Sequence, residues 1–127
     1  MARHNELGKI GEMVAARYLF QRGYTLLKSD YRVGHKDIDL IVAKDGTTVF
    51  VEVKTRSSDK YGEPEESVDN EKIKNLLAAA SAYIRRYRLD GPFRFDIISI
   101  VGTEEPFKIT HFPDAFNAVS LSYYRRY

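Results

Sequence analysis

The sequence predicts an α/β protein, one domain spanning residues 1–127, with a mixed sheet, flanking helices and the element order α-β-β-β-α-β(-β). Three observations predict it. Apolar residues recur at three- and four-residue intervals in two long segments, one at the start and one past the middle of the chain. Short runs rich in β-branched residues fill much of the remainder. The second helical segment falls between the third and fourth runs and so acts as a crossover between parallel strands, whereas an Asp-Gly pair between the second and third runs demands an antiparallel hairpin. With 127 residues, 43% of them hydrophobic, the chain has the apolar mass for one real core and is not intrinsically disordered.

In order, Glu6 to Arg22 places Leu7, Ile10, Val14 and Tyr18 on one helical stripe with Met13 and Phe20 beside it. Asn5 is the expected N-cap, and Gly23 stops the helix. Tyr24 to Arg32 suits an extended strand, broken by Gly34. Asp37 to Ala43 and Thr47 to Thr55 are the two arms of the hairpin turning at Asp45-Gly46. Ser57 to Asn70 reads as a solvated acidic loop. Glu71 to Arg88 is the clearest helix, with Ile73, Leu76, Leu77, Ala80, Ile84 and Tyr87 on its apolar face, and Asp90-Gly91-Pro92 ends it. Arg94 to Gly102 has a buried-strand pattern. Phe107 to Phe112 is a candidate edge strand and Asp114 to Leu121 a short helix.

Composition excludes several classes. The chain has no cysteine, so disulfides and thiolate zinc sites are out, and His4, His35 and His111 do not have the spacing of zinc ligand pairs. The N-terminus lacks the apolar stretch of a secretory signal, and no window reaches the 18 or so apolar residues of a membrane helix. The expectation is a soluble cytoplasmic protein with no membrane partner. A net charge of +2 is too small to mark a nucleic-acid binder by itself.

The chemistry concentrates on the third strand. Side chains at i and i+2 of a strand point the same way, so Phe50, Glu52 and Lys54 share one face while Val49, Val51 and Val53 share the other and look like core. Glu52 and Lys54 then stand about 6 to 7 Å apart on a rigid strand. Folding about Asp45-Gly46 brings Asp39 toward Glu52, with Asp37 close by, although capping the turn after Gly34 explains Asp37 equally well. Carboxylates crowded beside a lysine need a proton or cation to compensate them, and oxygen donors without sulfur or imidazole favour magnesium or manganese. Glu12 is a fourth acid, set on a helix among Gly8, Ala15, Ala16 and Leu19 with only Lys9 charged, which is not the usual solvated helix face. A single (D/E)xK tripeptide arises by chance roughly once in a chain of this size. An alternating Glu-Lys pair alone is ordinarily a solubilising strand face.

The residues together carry more. Asp39, then Glu52-Val53-Lys54, with Glu12 on a preceding helix, resembles the PD-(D/E)xK signature of restriction endonucleases and archaeal Holliday-junction resolvases. Gly8-Lys9-Ile10-Gly11-Glu12, Asp37-Ile38-Asp39-Leu40-Ile41, Phe50 to Arg56 and Arg94-Phe95-Asp96 are similar, over nearly the whole chain, to the UPF0102 family of small bacterial proteins. That family commonly has glycine where Lys36 stands. The resemblance implies a restriction-endonuclease-like three-layer core and a metal-dependent nuclease site. Asp39, Glu52 and the main-chain carbonyl of Val53 would hold magnesium or manganese, Lys54 would orient and help deprotonate the attacking water, and Glu12 would complete the shell or help bind a second ion. Asp96, beside Arg94, fits a structural hydrogen-bonding role.

Charge is segregated along the chain. Residues 57–71 hold six acids against Lys60, whereas 72–94 carry a net +5 from Lys72, Lys74, Arg85, Arg86, Arg88 and Arg94 against Asp90. With Arg56, and with Arg125 and Arg126 among Tyr123, Tyr124 and Tyr127, these residues are candidate contacts to nucleic-acid phosphates, although a solvated helix face explains the cluster as well. No base-reading helix is evident. The expected activity is endonucleolytic hydrolysis of nucleic acid, DNA ahead of RNA and selective for structure, with a two-fold homodimer if both strands are cut symmetrically. Two alternatives are a nucleic-acid-binding protein without catalysis and an inert nuclease-like interaction subunit.

Overall fold

The computed structural model describes residues 4–58 and 70–115. The elements are α1 (His4–Gln21), β1 (Thr25–Val33), β2 (Lys36–Lys44), β3 (Thr47–Arg56), α2 (Asn70–Tyr87), β4 (Phe93–Val101) and β5 (Lys108–Phe112). The strands stand side by side in chain order. Among the described residues only β3 and β4 are parallel, joined by the α2 crossover, and the other three pairs are antiparallel. The β2–β3 hairpin turns at Asp45 (φ 51°) and Gly46 (φ 79°), the two positive-φ positions of a tight two-residue turn that matches strand twist. Lys36 opens β2 and pairs with Val33.

Each face of the sheet is covered by one helix. Val14, Ala15 and Leu19 of α1 pack on Leu40, Val42, Val49, Val51, Val53, Ile98 and Ile100. Leu76, Ala79, Ala80 and Tyr83 of α2 pack on Ile38, Ile41, Phe50 and Phe95. β3 is therefore buried on both sides, as the central parallel strand of a three-layer protein must be. The valines are core as expected, and Phe50 on the other face is core too.

Four expectations change in detail. α1 starts at His4, which places Asn5 inside its first turn rather than at the cap. Met13 and Phe20 are 73% and 76% exposed, because the small residues of α1 let its other side lie close to the sheet and leave these two pointing outward. Tyr87 is exposed, and Tyr83 takes its place in the core, the two rings packing with centroids 4.7 Å apart. Asp114 lies in a turn rather than opening a helix. The rest of that proposed helix, the tyrosine- and arginine-rich tail and most of the acidic loop lie outside the described residues.

Candidate active site at the fork between β2 and β3

The ladder between β2 and β3 runs from Lys44 opposite Thr47 to Leu40 opposite Val51, and there it stops. One more step would set Asp39 against Glu52. Beyond that point β2 stays with β1 and β3 stays with β4, so the sheet forks. The Val53 N–H, which has no β2 carbonyl to meet, donates instead to Asp39 Oδ2 at 2.8 Å. A buried backbone donor has to be satisfied, and here a carboxylate does it. N–H and C=O of one strand residue project to the same edge, so the Val53 carbonyl also faces the opening.

Side chains from both faces meet in this fork. The cleft, about 270 Å³, is lined by Gly8, Glu12, Asp39, Glu52, Val53, Lys54 and Thr55. Glu12 arrives from α1, which lies so close to β3 at Gly11 that a Cβ there would collide with the Thr55 side chain. Close approach at a glycine thus carries the next residue to the cleft. Glu12 hydrogen-bonds Asp39, and Asp30 and Asp37 add negative charge nearby. Glu52 comes from the opposite face and is 4% exposed. Its Oε1 lies 3.5 Å from Lys54 Nζ and 3.3 Å from Lys72 Nζ. Its Oε2 is buried and has no hydrogen-bond partner among the described residues.

The electrostatics follow from burial without enough compensation. Desolvation, then the Asp39 charge, pushes Glu52 up to about 7 in spite of both lysines. Desolvation, then the hydrogen bond and charge of Asp39, pushes Glu12 up to about 7. Asp39 is raised by burial, against the pull of the Val53 N–H and of Glu12. Glu12 is therefore the member of that pair that holds the proton. Burial acts to lower the Lys72 ammonium, but Glu52 and then Asp37 outweigh it and leave it above its ordinary value. Both ammonium groups stand on one oxygen of Glu52, so its buried second oxygen is left uncompensated among the described residues. An orphaned buried carboxylate oxygen in an all-oxygen donor set fits a hard divalent cation.

Glu12, Asp39, Glu52, Val53 and Lys54 are thus brought together. Lys72 joins them, although its sequence context suggested only a phosphate contact: Ile73 beside it buries with Ile97, which fixes the rotation of α2. No local signal distinguishes Lys72 from Lys74, which is exposed. Arg56 ends β3, where its carbonyl accepts the Gly102 N–H at 2.9 Å. Arg85, Arg86 and Arg88 are not brought to the cleft. They are exposed at the far end of α2, about 20 Å along its axis from Lys72. Arg85 is hydrogen-bonded to Ser81 at 3.2 Å, and Arg86 lies over the Tyr87 ring.

Asp96 has the structural role expected of it. It accepts from Arg94 Nε at 3.0 Å and from the Asp114 N–H at 2.9 Å, and it pairs with His111 Nε2 at 2.7 Å. Burial alone would raise this carboxylate, but these partners hold it below its ordinary value.

Fold and site together define an α/β protein with a buried carboxylate–lysine cluster at a split in its sheet. The model of the uncharacterised protein family UPF0102 matches residues 11–100, and the chain belongs to that family. It is 47% identical to a UPF0102 protein of Bacteroides thetaiotaomicron, over 91% of this chain and 96% of the relative. It is 41% identical to one of Phocaeicola vulgatus over the same shares. A Flavobacterium psychrophilum member is 42% identical over 91% of this chain and 98% of its own. Among solved structures, Pyrococcus furiosus SfsA in complex with Ca2+ aligns at a TM-score of 0.32 and 14% identity, over 84% of this chain and 62% of SfsA. Among the described residues, no helix is long and apolar enough to cross a membrane.

Proposed function

We propose that this protein is a metal-dependent endonuclease that hydrolyses phosphodiester bonds of nucleic acid, DNA ahead of RNA, in the cytoplasm. The observation that carries the reading is Glu52: a buried carboxylate with one oxygen unmatched, beside Asp39, with two lysines on its other oxygen. Asp39, Glu52 and the Val53 carbonyl would hold magnesium or manganese, which when bound supplies charge stabilisation for the pentavalent transition state. Lys54 projects from the same face of the same strand as Glu52. There it orients the attacking water and donates a hydrogen bond to its developing hydroxide. Glu12 keeps its proton near neutrality and holds Asp39 in place across the fork, which fixes the angle between the two acidic strands. Arg56, which follows the cleft residue Thr55, suits a backbone phosphate, and the exposed Lys74 on α2 is a further candidate. Arg85, Arg86 and Arg88 suit phosphates several nucleotides away.

The test is cleavage of duplex, single-stranded and branched DNA in magnesium or manganese. Cutting is expected to need the ion and to fall by about 100-fold or more in Glu52→Ala and in Lys54→Ala, with the circular dichroism spectrum unchanged. Cleavage that persists in either variant sinks the assignment. A second reading, nucleic-acid binding without cleavage, is favoured by one observation: among the described residues, no three histidine, aspartate or glutamate side chains stand ready as a metal cage. It predicts binding that survives chelation and both substitutions.

A further inference from the structure

We propose that Lys72 is a stand-in cation, an ammonium that holds Glu52 while no metal is bound and yields that carboxylate to an arriving divalent ion. The inference rests on the nuclease reading of the same cleft and concerns what regulates entry to it. Lys72 belongs to α2, yet it reaches Glu52 on β3 at 3.3 Å and shares the same oxygen with Lys54. Two ammonium groups on one oxygen, with the other oxygen unmatched, is a poor use of a buried carboxylate if its purpose is a stable ion pair. It is a sensible arrangement if the second oxygen faces a site that fills and empties.

The two lysines are not equivalent. Lys54 rises from the same strand as Glu52, two residues on, so the strand fixes the separation of their backbones and keeps the two side chains on one face. Lys72 comes from another element on a four-carbon stem, and its side chain keeps 32% of its surface in water, so it can swing out without moving the backbone. A divalent cation at Glu52 and Asp39 repels both ammonium groups, and Lys72, 32% exposed against 24% for Lys54 and carried by a different element, has the wider way out. Once released, the Lys72 ammonium would turn from a counter-ion of the acids into a counter-ion for a phosphate of the substrate. Lys72 in this account is a positioning residue that sets the affinity of the site for metal.

The experiment is calorimetric titration of the metal alone, Mn2+ without nucleic acid, into the full chain, together with thermal unfolding in chelator. Removing the charge in Lys72→Met is expected to tighten Mn2+ binding by roughly tenfold, within the usual range of coupling between two sites. It should also lower the melting temperature in chelator. Lys72→Arg, which keeps the charge, should restore both values toward the parent. Lys72→Gln serves the same purpose should the methionine variant not fold. Mn2+ affinity unchanged or weakened in the uncharged variants, while Glu52→Gln abolishes binding, overturns the proposal and leaves the nuclease reading standing. No Mn2+ binding by the parent chain, or binding indifferent to Glu52→Gln, overturns both.

Discussion

Glu52 on β3 and Asp96 on β4 are carboxylates of neighbouring strands, 4% and 1% exposed, on opposite faces of one sheet. Asp96 is matched on both oxygens by a guanidinium, an imidazole and a backbone N–H, and it ionises more readily than a free aspartate. Glu52 has its two lysines crowded on one oxygen and, among the described residues, no hydrogen-bond partner on the other, and it resists ionisation. Burial is common to both. What differs is completeness: a finished network ties β4, β5 and the following turn together, whereas an unfinished one leaves a charge deficit that a ligand can make good.

That contrast is sharpest in folding energy. Asp96→Ala strands Arg94, His111 and the Asp114 N–H at once and is expected to cost about 3–5 kcal/mol in denaturant unfolding, as loss of one partner of a buried charge pair does. Glu52→Gln, measured in chelator at pH 8, should change stability by less than about 1 kcal/mol or raise it, because the neutral amide removes a penalty. Equal losses in the two variants would break the comparison.

The pH dependence separates the two in sign. Below 4.5 Glu52 is protonated in folded and unfolded chains alike. Between 4.5 and about 7 the unfolded chain releases a proton that the fold retains, so stability in chelator falls as pH rises, by about 3 kcal/mol once the window is crossed. Asp96 runs the other way: its contribution is full above the ordinary 3.8 and is lost as pH falls through its lower native value. Unfolding profiles from pH 3 to 8 should show both limbs. Glu52→Gln should flatten the upper limb, leaving the part due to Glu12, and Asp96→Asn should remove the lower one.

Smaller effects refine the picture. Gly11→Ala forces α1 away from Thr55 and is expected to cost about 1–3 kcal/mol, with a disproportionate loss of cleavage because Glu12 leaves the fork with the helix. Cleavage that falls only in step with stability would detach Glu12 from the site. Arg85→Ala and Arg86→Ala, remote from either carboxylate, should leave stability within about 0.5 kcal/mol and each reduce the salt slope of nucleic-acid binding by about 1.

Much of this was legible in the chain. The helical stripes, the Asp45-Gly46 turn and the crossover before β4 gave the element order, because each is a local pattern with a local cause. Asp39, Glu52 and Lys54 were legible as a group since a hairpin fixes their register. Lys72 was not legible as a site residue, because the distance from α2 to β3 is set by packing of Ile73 and Leu76 rather than by spacing along the chain. Nor was the fork itself, which depends on where β2 stops pairing with β3, a balance between two ladders that no short window records. Arg85, Arg86 and Arg88 were grouped with Lys72 by nearness in sequence, and the length of the helix separates them.

Asp39 holds the Val53 amide in place of a main-chain carbonyl, so one peptide proton samples the acidic cleft directly. In a nitrogen–proton correlation spectrum that resonance is a label already present in the backbone. Drawing the carboxylate away from it should shift the signal and shorten its lifetime against deuterium, while the amides of β4 stay still. A single peak would then report occupancy of the cleft without any substrate, dye or substitution.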